Sequence, residues 1–85
     1  MMDMRNKKVV IYTTKYCGYC AAAKDFLKSK GVSFEEIDVS GNDAVRERLV
    51  QMTGGRETVP QIFIDDKPLG GYNELVDFYQ SGQTL

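Results

Sequence analysis

Four apolar residues in a row, Val9-Val10-Ile11-Tyr12, open the patterned part of the chain. β-Branched residues fall on both faces of this run, which predicts a strand from Lys7 to Thr13 covered by helices on both sides. Beyond a polar gap, Ala23, Phe26 and Leu27 recur at helical spacing with the stem of Lys30, and Gly31 stands where a helix closes. Apolar and polar residues then alternate from Val32 to Val39, predicting a second strand. Ser40-Gly41-Asn42-Asp43 matches the capping-box pattern and predicts a helix to about Met52, with Val45, Leu49 and Met52 on one face and Gly54-Gly55 at its end. Gln61-Ile62-Phe63-Ile64 reads as a third strand and Asp65-Asp66-Lys67 as a turn. Pro68-Leu69 begins a short fourth strand, placed at an edge because proline cannot donate to a ladder. Gly70-Gly71 opens a last helix whose apolar stripe is Leu75, Val76 and Tyr79.

The predicted order is therefore β-α-β-α-β-β-α. A helical crossover makes the first two strands parallel, and a tight turn makes the last two antiparallel. The expected architecture is α/β, a four-stranded mixed sheet with helices on its faces. No linker or repeat divides the chain, so residues 1–85 are read as a single domain.

Composition narrows the function mostly by exclusion. A net charge of -1 offers no basic stripe for a nucleic acid. No apolar run approaches the roughly 20 residues that span a bilayer, so no membrane partner is expected. Met1 to Lys8 is charged and polar, without a signal-like apolar stretch, and a cytoplasmic location is the expectation. The sequence contains no histidine, which removes Cys–His hydrolases and transferases from consideration. With only two cysteines and no histidine, a four-ligand structural zinc site is not expected.

Those cysteines lie in Cys17-Gly18-Tyr19-Cys20, at the predicted junction of the first strand and first helix. As a staple the pair would close too short a loop to remove much unfolded-chain entropy. A C-x-x-C at such a junction reads instead as a thiol–disulfide exchange site. The start of a helix favours negative charge, as does nearby Lys15, so Cys17 is the expected nucleophile. Cys20, one turn inward, is placed to resolve a mixed disulfide.

Taken together, C-x-x-C after strand one, Thr58-Val59-Pro60 before strand three and Gly-Gly opening the last helix resemble the glutaredoxins, in particular the short bacterial dithiol type. The resemblance runs from Val9 to Tyr79. It implies a thioredoxin-like fold and a glutathione-dependent oxidoreductase acting on glutathionylated or disulfide-containing proteins. By this resemblance Pro60 is cis beside the reactive cysteine, and Thr58-Val59-Pro60 pairs with the peptide of glutathione. The γ-glutamyl end falls to Gly71, Tyr72 and Asn73, at a helix N-terminus suited to a carboxylate. Tyr16 or Tyr19 walls the cleft.

The chain departs from the family pattern at two places. Thr14 stands where a lysine usually meets the glycine-end carboxylate, with Lys15 shifted by one. Arg46 aligns with the second-helix contact, and Arg56 competes for it. Gly18 stands where dithiol members carry proline. Within the family, loss of that proline accompanies a [2Fe–2S] cluster held between two subunits by Cys17 and one glutathione sulfur from each side. A cluster carrier or sensor is therefore an alternative, as is a thioredoxin-like reductant served by a flavoprotein reductase. As an enzyme the chain is expected to be a metal-free monomer, dimeric only around a cluster.

Overall fold

The computed structural model describes residues 7–56 and 58–83. The polar amino-terminal stretch through residue 6 lies outside them. Seven elements follow in the expected order: β1 (Val9–Thr13), α1 (Gly18–Ser29), β2 (Glu35–Asp38), α2 (Asp43–Met52), β3 (Gln61–Ile64), β4 (Lys67–Gly70) and α3 (Tyr72–Gln80). They form one four-stranded sheet in the order β2-β1-β3-β4. β1 runs parallel to β2 and antiparallel to β3, and β3 runs antiparallel to β4.

The register sorts side chains onto two faces. Ile11 lies opposite Ile62 and Val9 opposite Ile64, and this face meets Ala23 and Leu27 of α1 and Leu75 of α3 in the larger core. Val10 lies opposite Phe63 on the other face, where Leu49 of α2 completes a smaller one. Phe26 of α1 and Tyr79 of α3 meet edge to face at 5.3 Å, which ties the two helices together.

β2 is shorter than the Val32–Val39 alternation predicts. The Val32 N–H donates to the Leu27 carbonyl at 3.0 Å, closing the end of α1, and Gly31 takes the left-handed conformation there (φ 71°). Val32 and Phe34 still pack on the larger core, but ladder pairing begins only where Glu35 meets Val10. β1 likewise begins at Val9 rather than Lys7.

The cap of α2 also differs from expectation. Asn42, not Ser40, accepts the Val45 N–H through its Oδ1 at 3.1 Å. The Ser40 hydroxyl is engaged elsewhere, accepting the Lys15 N–H at 2.9 Å. On α2 only Leu49 is buried, and Met52 is largely exposed. Between β3 and β4 the two-residue turn holds Asp65 and Asp66 at positive φ (50° and 68°), and the Asp65 carboxylate accepts the Lys8 N–H at 2.9 Å. Among the described residues, no helix is long and apolar enough to cross a membrane.

Candidate active site

The strand β1 ends at the buried Thr13, and a short polar stretch turns the chain into α1 with Cys17 as the N-cap residue. Capping is normally done by a side-chain oxygen that takes up an unsatisfied N–H of the first turn. Here sulfur does it: Cys17 Sγ accepts the Cys20 N–H at 3.1 Å. The same sulfur lies 3.7 Å from the Val59 carbonyl oxygen, which accepts from it when it is protonated. Cys17 is half-buried, with its sulfur between the start of α1 and the segment leading into β3.

Cys20 sits in a different environment, only 1% exposed. Burial, reinforced by the hydrogen bond with Cys17, pushes its thiol pKa up to about 12. Both cysteines are free thiols. One thiol is therefore presented to solvent and the other is held protonated one turn further in.

Val59–Pro60 is a cis peptide, as the resemblance implies. Pro60 and Gly71 are both buried, and the two segments are in close contact. A Cβ on Gly71 would lie 3.2 Å from the Pro60 carbonyl, and one on Gly70 (φ 127°) only 2.6 Å from the Glu74 side chain. The paired glycines thus allow the N-terminus of α3 to close on the proline segment. The Gly71 N–H donates to Glu74 Oε1 at 2.7 Å, and the same oxygen accepts from Arg56 Nη2 at 3.3 Å. The Gly71 N–H above all, with a smaller contribution from the Arg56 charge, holds the Glu74 carboxyl below the usual carboxylate range.

The result is a groove of about 300 Å³. Thr58, Val59 and Pro60 form one bank, and Gly71, Tyr72 and Asn73 form the other. Tyr19, 65% exposed, closes one end, its ring 6.0 Å from that of Tyr72. Tyr16 is 98% exposed and does not line the groove.

A second hollow lies on the other side of Val59, lined by Arg46 and Glu47 of α2 and by Arg56. Val59 and Arg56 belong to both. Lys15 lines neither: its N–H is bound to Ser40, and its charge falls on Asp38. The Asp38 carboxyl is held below its usual range mainly by Ser40, with Lys15 a lesser influence.

Of the residues expected at the site, the structure thus gathers Tyr19, Thr58, Val59, Pro60, Gly71, Tyr72 and Asn73 around one groove beside Cys17, with Arg46 across Val59 and Lys15 apart. Glu74 is at the groove without having been expected there. Its signal is the Gly71–Glu74 spacing, which puts a glutamate at N3 where its carboxylate can reach back to the N-cap N–H, although glycine at the N-cap keeps the pair outside the Ser/Thr capping-box pattern.

Comparison with known proteins agrees with this geometry. The glutaredoxin family model matches residues 9–69. Glutaredoxin 3 of Escherichia coli K12 is 52% identical over 67 residues, covering 79% of this chain and 80% of that one. Glutaredoxin 1 of Rickettsia conorii is 41% identical over 76 residues, covering 88% and 74%. Among solved structures, a buckwheat glutaredoxin–glutathione complex superposes with a TM-score of 0.84 at 29% identity, covering 93% of this chain and 74% of that one.

Proposed function

The chain belongs to the glutaredoxin family, which comprises glutathione-dependent thiol–disulfide oxidoreductases, and we propose that Cys17 carries the exchange with Cys20 as an auxiliary thiol. The observation behind this assignment is the contrast between the two sulfurs. Cys17 accepts an N–H at the start of α1 beside a groove, whereas Cys20 is buried and protonated.

Glutathione enters the groove with its cysteine beside Val59 and its γ-glutamyl carboxylate at the exposed N–H groups of α3, near Tyr72 and Asn73. Its glycine-end carboxylate reaches across Val59 toward Arg56 and Arg46, and Tyr19 covers the peptide. On a glutathionylated protein, the Cys17 thiolate attacks the glutathione sulfur. A bond forms between Cys17 and glutathione, the bond between glutathione and protein breaks, and the protein thiolate leaves and takes a proton. A second glutathione thiolate then attacks the bound glutathione sulfur. It releases glutathione disulfide and restores the Cys17 thiolate.

On a protein disulfide, Cys17 first forms a mixed disulfide with one protein sulfur. Cys20 must then lose its proton before attacking Cys17 Sγ, which closes the Cys17–Cys20 disulfide and expels the second protein thiolate. Two glutathiones reduce that disulfide. Burial holds the proton on Cys20, so this route needs a deprotonation that the route through glutathione alone does not. A glutathione-coupled reduction of a small mixed disulfide tests the roles. Cys17→Ser is expected to abolish turnover and Cys20→Ser to retain it; equal loss in both variants would sink the assignment.

Gly18 favours a second reading, cluster binding by a dimer. A Cβ built on it meets nothing within 4 Å beyond its chain neighbours, so nothing in the fold demands a glycine at this position. The described residues contain no cluster of three metal-ligating side chains. One accessible thiol per chain means that an iron–sulfur cluster would need a second copy and two glutathione sulfurs to complete four thiolate ligands. Anaerobic purification with glutathione decides it, since a colourless monomer counts against this reading.

A further inference from the structure

Below the Thr58-Val59-Pro60 segment lies a polar side chain that the chemistry above leaves unused. Gln61 is 0% exposed at the start of β3, opposite Tyr12. Its Nε2 donates to the Thr58 carbonyl at 2.9 Å and lies 3.3 Å from the Thr58 hydroxyl. Its Oε1 is buried with no hydrogen-bond donor among the described residues. A buried amide oxygen without a partner is less stable than an apolar side chain of similar volume.

Nor does Thr58 need the amide. Thr58 is an exposed residue, so with the segment turned the other way water would be available to its carbonyl and hydroxyl. The fold therefore accommodates an unfavourable buried group whose definable effect is to hold Thr58 in one orientation.

We propose that Gln61 is a positioning residue for glutathione binding. By turning the Thr58 carbonyl inward, it leaves the Val59 backbone facing the groove in pairing geometry before substrate arrives. The segment then has little freedom left to lose on binding, which strengthens binding without altering the reacting sulfur. This inference rests on reading the groove as the glutathione site.

The test is Gln61→Met in the full chain, with Gln61→Leu alongside, since both side chains lack the amide. Three quantities are measured: the unfolding midpoint, the rate of Cys17 alkylation by iodoacetamide, and kcat and KM for the glutathione–cysteine mixed disulfide. The midpoint is expected to stay level or rise, and alkylation to remain within about twofold of wild type. KM is expected to rise about fivefold or more, with kcat within about twofold. An unchanged KM, or a loss confined to kcat, overturns the proposal. So does failure of both variants to fold, because Gln61 would then be structural. A wild-type protein that shows no saturable dependence on the mixed disulfide instead overturns the functional reading beneath it.

Discussion

On one face of the sheet, α1 and α3 press Ala23, Leu27 and Leu75 onto Val9, Ile11 and Ile62, with Phe26 and Tyr79 sealing the seam between the helices. On the other face, Leu49 is the buried contribution of α2 to Val10 and Phe63. In the proposed function the division of chemical labour follows this inequality. The proposed nucleophile, Cys17, and the N-terminus of α3 belong to the two helices of the thick face, where dense packing fixes their positions. Arg46 and its hollow belong to the thin face, and a long cationic side chain tolerates movement that a reacting sulfur does not.

The sharpest expected contrast lies within the thick face itself. At neutral pH, iodoacetamide should modify Cys17 in the folded protein at least about ten times faster than Cys20, since only the thiolate reacts and burial keeps Cys20 protonated and shielded. Peptide mass mapping before and after denaturation checks this. Comparable labelling of the two would mean that the thick face does not shield Cys20 as its burial indicates.

The faces can next be compared by cavity formation. Leu75→Ala should fall toward the upper end of the roughly 2–5 kcal/mol cost of buried Leu→Ala changes, and Leu49→Ala toward the lower end. Leu75 lies in the larger cluster with many apolar neighbours, whereas Leu49 lies in the smaller. Urea unfolding of both variants measures the difference, and equal costs would remove the distinction between the faces.

The smallest effect concerns the contact of α3 with the proline segment. The Glu74 carboxyl is held low mainly by the Gly71 N–H, so its stabilisation is present above the ordinary carboxylate value and is lost as pH falls through the depressed one. Its side chain is 42% exposed, so after solvent screening the effect stays below about 1 kcal/mol. Glu74→Gln keeps an acceptor for Gly71 and removes the charge. Stability of this variant should match wild type near pH 3 and fall slightly short at pH 7; a constant gap across that range would refute the titration.

What could be read from the sequence was whatever is enforced locally. β3 was expected at Gln61–Ile64 and is found there, because a proline and an acidic turn bound it. The Cys17, Thr58-Val59-Pro60 and Gly71-Tyr72-Asn73 sites rest on the start of a helix, a fixed φ and a close backbone approach, all of which are written in residue type. Alternation overextends β2 because it cannot reveal that the Val32 N–H is already committed to closing α1. The capping-box pattern points to Ser40 rather than the actual cap, Asn42, because it cannot show that Lys15, far away in sequence, engages the Ser40 hydroxyl. The basic residues resisted for a related reason: Arg56 reaches Glu74 only once α3 has docked. Gln61 gave no signal, since a polar residue opening a strand looks solvent-facing until the preceding segment folds over it.

The strand order has a further consequence, for crowded solution. The outer strand β2 carries Glu35, Glu36 and Asp38, all exposed, and the opposite outer strand β4 carries Pro68. An incoming strand would meet a row of carboxylates on one side and a missing donor on the other. Both margins of the sheet thus discourage strand-by-strand growth into aggregates, leaving the interior pair β1 and β3 sealed between them.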